Sequence, residues 1–148
     1  MKAKKTLVYL IVSFTILAIV AFQLCVYGQQ KQYRKGVGAL KEGNYELALK
    51  LIEPYAKDGD SNARGLVGEM YALGLGVPID HKRAQQWFEC TGISGCIDGY
   101  KEYYVALDFL NGSSGAKQDV EQAQFWMMQS SRKGFKQAND WLISQKNR

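Results

Sequence analysis

The segment Asp80–Glu89 reads DHKRAQQWFE, and the segment Asp119–Met128 reads DVEQAQFWMM. Each carries Asp, three residues, Ala, two residues, Trp and an apolar residue: Asp80, Ala84, Trp87 and Phe88 in the first, Asp119, Ala123, Trp126 and Met127 in the second, 39 positions later. Alanine, tryptophan and the apolar residue fall on one face of a helix with 3.6 residues per turn. The leading aspartate is a residue type whose carboxylate accepts the free amides of a first helical turn. Two helices of one kind, recurring at such a period, mark a repeat architecture. A looser copy, Asn44, Ala48, Leu51 and Ile52, stands 36 positions before the Asp80 copy.

Working outward, a second pattern precedes each of these helices. Gly59, Ala63, Val67 and Tyr71 recur 36 residues later as Gly95, Gly99, Tyr103 and Leu107, and in truncated form as Gly134, Ala138 and Leu142. Ala63, Val67, Met70 and Tyr71 again share one helical face. The stretch Gly74–Pro78 breaks the two helices of a unit, and Gly59, Gly92 and Gly134 sit where a second helix ends and a left-handed residue is wanted. The spacing predicts helices near residues 30–42, 45–58, 61–73, 81–91, 97–110, 119–133 and 135–145, with no sustained strand alternation. A helix pair cannot bury its apolar stripe alone, so neighbouring pairs stack. The expected fold is all-α: a solenoid of about three helical hairpins, Trp87 and Trp126 packing between pairs, closed by a capping helix whose sequence, FKQANDWLISQKNR, ends polar.

Ahead of this array lies TLVYLIVSFTILAIVAFQLCVY, Thr6–Tyr27, a run of 22 residues without a charge. A bilayer core needs roughly 20 helical residues, whereas the apolar core of a cleaved signal is about 7–15 residues followed by small ones. The expected layout is therefore a retained signal-anchor helix in residues 1–28 and a repeat domain in residues 29–148. Cys25 follows Leu24 rather than a small residue, which argues against a lipid-modified cysteine. Lys2, Lys4 and Lys5 precede the run and no charge follows it until Lys31. By the positive-inside bias this places the repeat domain outside the cytoplasm.

The formal net charge of +5 includes those three lysines; from Gly28 onward 16 basic side chains face 14 acidic ones. Such a mixed distribution lacks the clustered basic face that nucleic-acid binding needs. The single histidine, His81, follows a capping aspartate and reads as a solvated first-turn residue, with no nucleophile constellation around it. Asp98, Glu102 and Asp108 read as a wet helical face. GLGVP lacks the lysine and the preceding strand of a phosphate loop. Cys90 and Cys96, six positions apart in an oxidising compartment, are either a disulfide or two thiols; with one histidine in the chain they make a poor metal site. Neither a cofactor nor a metal is expected.

These residues resemble the Sel-one-like repeat family, whose units carry a leading Ala, a Leu-Gly pair, a Tyr, a Gly-x-Gly-Val turn, an Asp, and Ala and Trp on the second helix. The middle unit matches with Ala63, Val67-Gly68, Tyr71, Gly74-Leu75-Gly76-Val77, Asp80, Ala84 and Trp87. The next keeps Asp119, Ala123 and Trp126, but has Gly99 for Ala, Leu107 for Tyr and NGSSGAKQ for the turn. The opening unit, with Gly43, Tyr45, Ala48 and Ile52, looks closer to a tetratricopeptide repeat. The resemblance spans about residues 30–145. It implies an adaptor or scaffold rather than an enzyme, and bacterial members of the family are often envelope proteins.

The expected function is that of a membrane-anchored protein-binding adaptor or regulator, single-pass in a bacterial inner membrane through residues 6–27, with its repeats in the periplasm. The alternative is an immunity protein that neutralises a toxic effector such as a phospholipase; a hydrolytic enzyme has the least support. Carrying over tetratricopeptide ligand positions on the first helices points to Tyr33, Asn62, Glu69, Asp98, Lys101 and Asp108. Tyr104 joins them because Tyr100, Tyr103 and Tyr104 cannot all face inward, and exposed tyrosine suits interfaces.

Overall fold

Asn44, Asp60, Asp80 and Asp119 each turn a side-chain oxygen onto a backbone amide three residues ahead, at 3.4, 2.7, 2.9 and 3.0 Å, and each starts a helix. The computed structural model describes residues 2–89 and 97–147, with side chains from residue 11 onward. Its helices are α1 (Lys2–Lys41), α2 (Tyr45–Lys57), α3 (Ser61–Leu73), α4 (His81–Phe88), α5 (Tyr100–Asn111), α6 (Val120–Arg132) and α7 (Lys136–Lys146). No strand occurs among the described residues. Cys90 and Cys96 fall outside them, so the disulfide expectation does too.

The helices pack in chain order: α1 on α2, α2 on α3, α3 on α4 and α5, α5 on α6, α6 on α7. This is the expected solenoid of helical hairpins with α7 closing it. Its core is a row of mostly small and medium side chains with no exposure, Ala48, Ile52, Ala63, Val67, Met70, Ala84, Val105, Ala106, Ala123, Met127 and Ala138 among them, built around one large aromatic, Trp126. Close approach depends on missing side chains. A Cβ on Gly36 would stand 2.8 Å from Ile52 Cγ1 and 2.9 Å from Leu51 Cβ, and one on Gly68 would run into the Phe88 ring. In the turn after α3, Gly74 (φ 73°) and Gly76 (φ 71°) adopt the left-handed conformation that side chains disfavour.

The apolar run and the opening repeat helix are one element. α1 continues unbroken through Gly28 for 40 residues, and Tyr55 Oη at the far end of α2 donates to the Gln29 carbonyl at 2.5 Å. From Ile11 the helix is long and apolar enough to cross a membrane, and its side chains there, Phe14, Leu17 and Phe22 among them, are exposed. Its length and composition fit a membrane anchor and a signal sequence alike.

The expected equivalences within α5 need correcting. Gly99 is not the counterpart of Ala63; it caps the start of α5 at φ 78°. A Cβ there would meet Ser130 O at 2.7 Å and Phe135 Cβ at 2.8 Å. The backbone gives the true register: Tyr71 O accepts from Asp80 N at 2.9 Å, and Phe109 O accepts from Asp119 N at 2.9 Å. Phe109 is thus the equivalent of Tyr71, 38 rather than 36 positions on, and the buried Val105 and Ala106 replace Val67 and Gly68. Leu107 does not take the Tyr71 position.

Three further readings change. Glu102 is not on a wet face: it is 1% exposed, and Lys133 Nζ sits 2.6 Å from its Oε1. His81 is half-buried rather than solvated, stacked on Phe125 at 4.7 Å and edge-on to Trp126 at 5.2 Å. The two repeat tryptophans also differ. Trp126 is fully enclosed by His81, Phe88 and Phe125, while Trp87, packed against the core, keeps one side open.

Candidate protein-binding surface

Alternating chain direction puts two edges on the array. The ends of α2, α4 and α6 and the starts of α3, α5 and α7 share the edge from which α1 emerges; the turns at residues 74–80 and 112–119 form the opposite edge. Between α1, α3 and the second of these turns lies a cleft of about 320 Å³, lined by Leu40, Lys41, Tyr45, Leu66, Glu69, Leu73, Ser114 and Gly115. Leu40, Leu66 and Leu73 come from α1 and α3, Tyr45 from the start of α2, and of the expected ligand positions only Glu69 lines the cleft.

One cluster of expected residues shapes that wall. Lys101 Nζ is 3.1 Å from Glu69 Oε1, and it reaches there across Gly65, where a Cβ would stand 2.6 Å from Lys101 Cε and Nζ. Burial pushes the Glu69 carboxyl above its ordinary value; the Lys101 charge and hydrogen bond oppose this, and the Asp108 charge adds to it. Asp108 in turn accepts hydrogen bonds from Ser113 Oγ at 2.5 Å and Ser114 Oγ at 2.7 Å, which fastens the turn after α5 to its own helix. Glu69 is therefore engaged by Lys101, while Asp108 is engaged by its own turn.

The remaining expected residues lie elsewhere. Tyr33 is half-buried, edge-on to Tyr55 at 5.3 Å on α2; burial, then the Asp60 charge, raises its pKa. Asn62 and Asp98 are exposed at the edge where α1 emerges. Tyr104 is exposed in a run of rings with Tyr100 at 4.6 Å and Tyr103 at 5.6 Å, the latter packed on Phe135 at 5.1 Å. Sequence reasoning missed Leu40, Lys41, Tyr45, Leu66 and Ser114 as cleft residues. Only the apolar first-helix faces carried a signal, because the cleft takes residues from separate elements.

The fold and its cleft define a class before they define a family: a helical-hairpin repeat protein whose elements stack into a surface suited to holding another macromolecule. The Sel1 repeat model matches residues 21–60, 62–92 and 102–135. The chain belongs to the Sel1 repeat family. The first match includes the opening unit, so that unit is a Sel1 repeat too, where its sequence alone looked closer to a tetratricopeptide repeat. Over 97 residues the chain is 32% identical to the Sel1-repeat-containing protein YjcO of Escherichia coli strain K12, an alignment covering 62% of this chain and 42% of that protein. YjcO of Shigella flexneri matches to the same extent. The chain thus spans about two fifths of the length of these relatives. Sel1 repeats generally mediate protein–protein interaction, and the family is typically a non-catalytic scaffold.

Proposed function

We propose that this protein is a membrane-anchored adaptor or regulator, held in a bacterial inner membrane through residues 6–27, whose periplasmic repeat domain, residues 29–148, captures a partner protein in the cleft between α1 and α3. The observation that carries this reading is the continuity of α1. One helix bears the exposed apolar run and then forms a wall of the cleft through Leu40 and Lys41. The lysines ahead of the run favour the orientation that leaves the repeats outside the cytoplasm.

The cleft offers a partner apolar contact at the half-buried Leu40, Tyr45 and Leu66 beside the Lys41 ammonium. The test is capture from detergent-solubilised membranes with the full chain, compared with a Lys41→Glu/Leu66→Glu variant whose helicity is verified by circular dichroism. The variant loses the specific partners held by the parent chain. An unchanged set of partners on a folded variant would remove the cleft from the mechanism. The captured protein also decides between roles. A resident envelope protein makes the chain an adaptor; a toxic effector such as a phospholipase, encoded beside it, makes it an immunity protein.

A further inference from the structure

On the face made by the second helices, a groove of about 490 Å³ runs between α2 and α4 with α3 as its floor. It is lined by Glu53 and Lys57 of α2, Arg64 and Tyr71 of α3, and Arg83 and Trp87 of α4. Both arginines are laid over aromatic rings: the Arg64 guanidinium is 5.4 Å from the Trp87 ring centre, and that of Arg83 is 5.2 Å from Tyr71. Hydrogen bonds hold them there. Arg64 Nη2 donates to the carbonyls of Gln86 at 3.2 Å and Glu89 at 3.4 Å, and Arg83 Nη1 donates to Tyr71 Oη at 3.2 Å.

The groove's charge is unbalanced. Lys57 is paired with Glu53 at 3.2 Å, which cancels both, while neither arginine takes part in an ion pair among the described residues. Arg64 Nε is buried without a hydrogen-bond partner. Two guanidiniums pinned on rings, with donors to spare and the groove's one lining carboxylate, Glu53, already paired with Lys57, form a preorganised receptor for anions, since a guanidinium fork matches a carboxylate.

Spacing narrows the ligand. Arg64 and the residue that holds Arg83, Tyr71, are seven positions apart on α3, about 10 Å along its axis at 1.5 Å per residue. A single phosphate or lipid headgroup does not bridge that distance, and two cations are too few for a nucleic-acid track. An extended peptide in the polyproline II conformation, with three residues per turn and roughly 3.1 Å each, covers it in about three residues and sets side chains three positions apart on one face.

We propose that the groove between α2 and α4 binds an extended acidic segment of a partner protein, two carboxylates about three residues apart meeting Arg64 and Arg83. This rests on the reading of the chain as a protein-binding module and not on the cleft or the anchor.

The test uses the ¹⁵N-labelled full chain in neutral detergent micelles, titrated with the peptide Gly-Glu-Gly-Gly-Glu-Gly, with its Gln counterpart, and with micelles doped with phosphatidylglycerol. The expected result is a shift of the Trp87 indole N–H resonance by the Glu peptide alone, saturable and weakened by salt. Arg83→Gln and Arg64→Gln each weaken binding by at least about tenfold. Arg83→Lys keeps the charge and loses the fork, so it falls between. An undisturbed Trp126 resonance verifies the fold of each variant. Equal shifts from the Gln peptide, full affinity in folded Arg83→Gln, or a response to anionic lipid without one to the peptide would each overturn the proposal. The cleft variant Lys41→Glu/Leu66→Glu still binds the acidic peptide, so failure here and failure of the proposed cleft are read apart.

Discussion

Replacing the two repeat tryptophans one at a time should separate positions that the repeat pattern treats as equivalent. Trp126 has no exposure and is ringed by Phe125 at 5.2 Å, His81 at 5.2 Å and Phe88 at 5.9 Å, all in edge-on geometry. Trp126→Ala removes that whole contact and leaves a cavity, a loss of about 3–5 kcal/mol for a buried large aromatic. Trp87 is half-buried beside the open groove and gains about 0.5–1 kcal/mol from the Arg64 guanidinium above it. Trp87→Ala therefore costs about 1–2 kcal/mol, its partial burial included. The difference, about 1–4 kcal/mol and centred on about 2.5, corresponds to roughly 5–10 °C in thermal midpoint at its centre for a chain of this size. Unfolding of the full chain in micelles, followed at 222 nm against both urea and temperature, measures it. The slope against urea has to stay constant for the comparison to hold. Equal losses, or the larger loss at Trp87, would refute the claim that α4 shields Trp126 while α2 leaves Trp87 open.

The other predictions concern buried charge, backbone and pH. Lys133→Met strands the Glu102 carboxylate, 1% exposed, and costs about 3 kcal/mol; the double variant with Glu102→Met recovers most of that midpoint, and no recovery would show the pair to be irrelevant to packing. Gly99→Ala, forced to φ 78° with a Cβ against Ser130 O, lowers stability by more than about 1 kcal/mol in the same assay. Burial pushes the His81 imidazole below its ordinary value, against a weaker upward pull from Gln122 and Asp80. The unfolded chain then binds the proton more tightly, so the contribution is complete above about pH 6.5 and is lost as pH falls through the lower folded value. Thermal midpoints between pH 7.5 and 5 accordingly fall further for the parent chain than for His81→Gln; parallel curves would discard the linkage.

Local rules were legible in the sequence, and contacts between distant residues were not. The aspartates at 80 and 119 announce helix starts because a capping carboxylate acts on amides three residues away. Gly59 and Gly134 mark helix ends for an equally local reason, positive φ at 94° and 84°. The α5 register failed because glycine was matched to glycine by position. Gly99 holds its place through Ser130 and Phe135, more than 30 residues on, while the apolar trio Val105, Ala106 and Phe109 carries the true equivalence. Glu102 looked solvated because its partner, Lys133, is also 31 positions away. The cleft and the arginine groove join residues from separate helices, so no single segment of sequence could display either. The end of the uncharged run at Tyr27 set the expected boundary near residue 28, yet a change of polarity does not interrupt backbone hydrogen bonding, and α1 runs on.

That continuity matters for the proposed role. A flexible tether would raise the repeat domain's effective concentration near the bilayer and leave its orientation free. On the proposed layout, the one helix that carries the apolar run into the array fixes orientation as well. From Tyr27 to Lys41 α1 climbs 14 residues, about 21 Å, and Tyr55 Oη on the Gln29 carbonyl ties α2 to the lower part of that climb. In the anchored state the edge carrying Lys57, Asp58 and Asn62 then faces the headgroups. The cleft at Lys41 and Ser114 opens near the opposite edge, one domain height away. On the proposed layout, a partner of the cleft must reach that height from the membrane or approach from the side away from it. Replacing Gln29–Gln30 with a Gly-Ser linker of about ten residues would release that constraint while keeping anchor and cleft. Partners that need the fixed geometry should lose capture in membranes but retain it in detergent; loss in both, with the fold intact, would show that the linker damaged the binding surface itself.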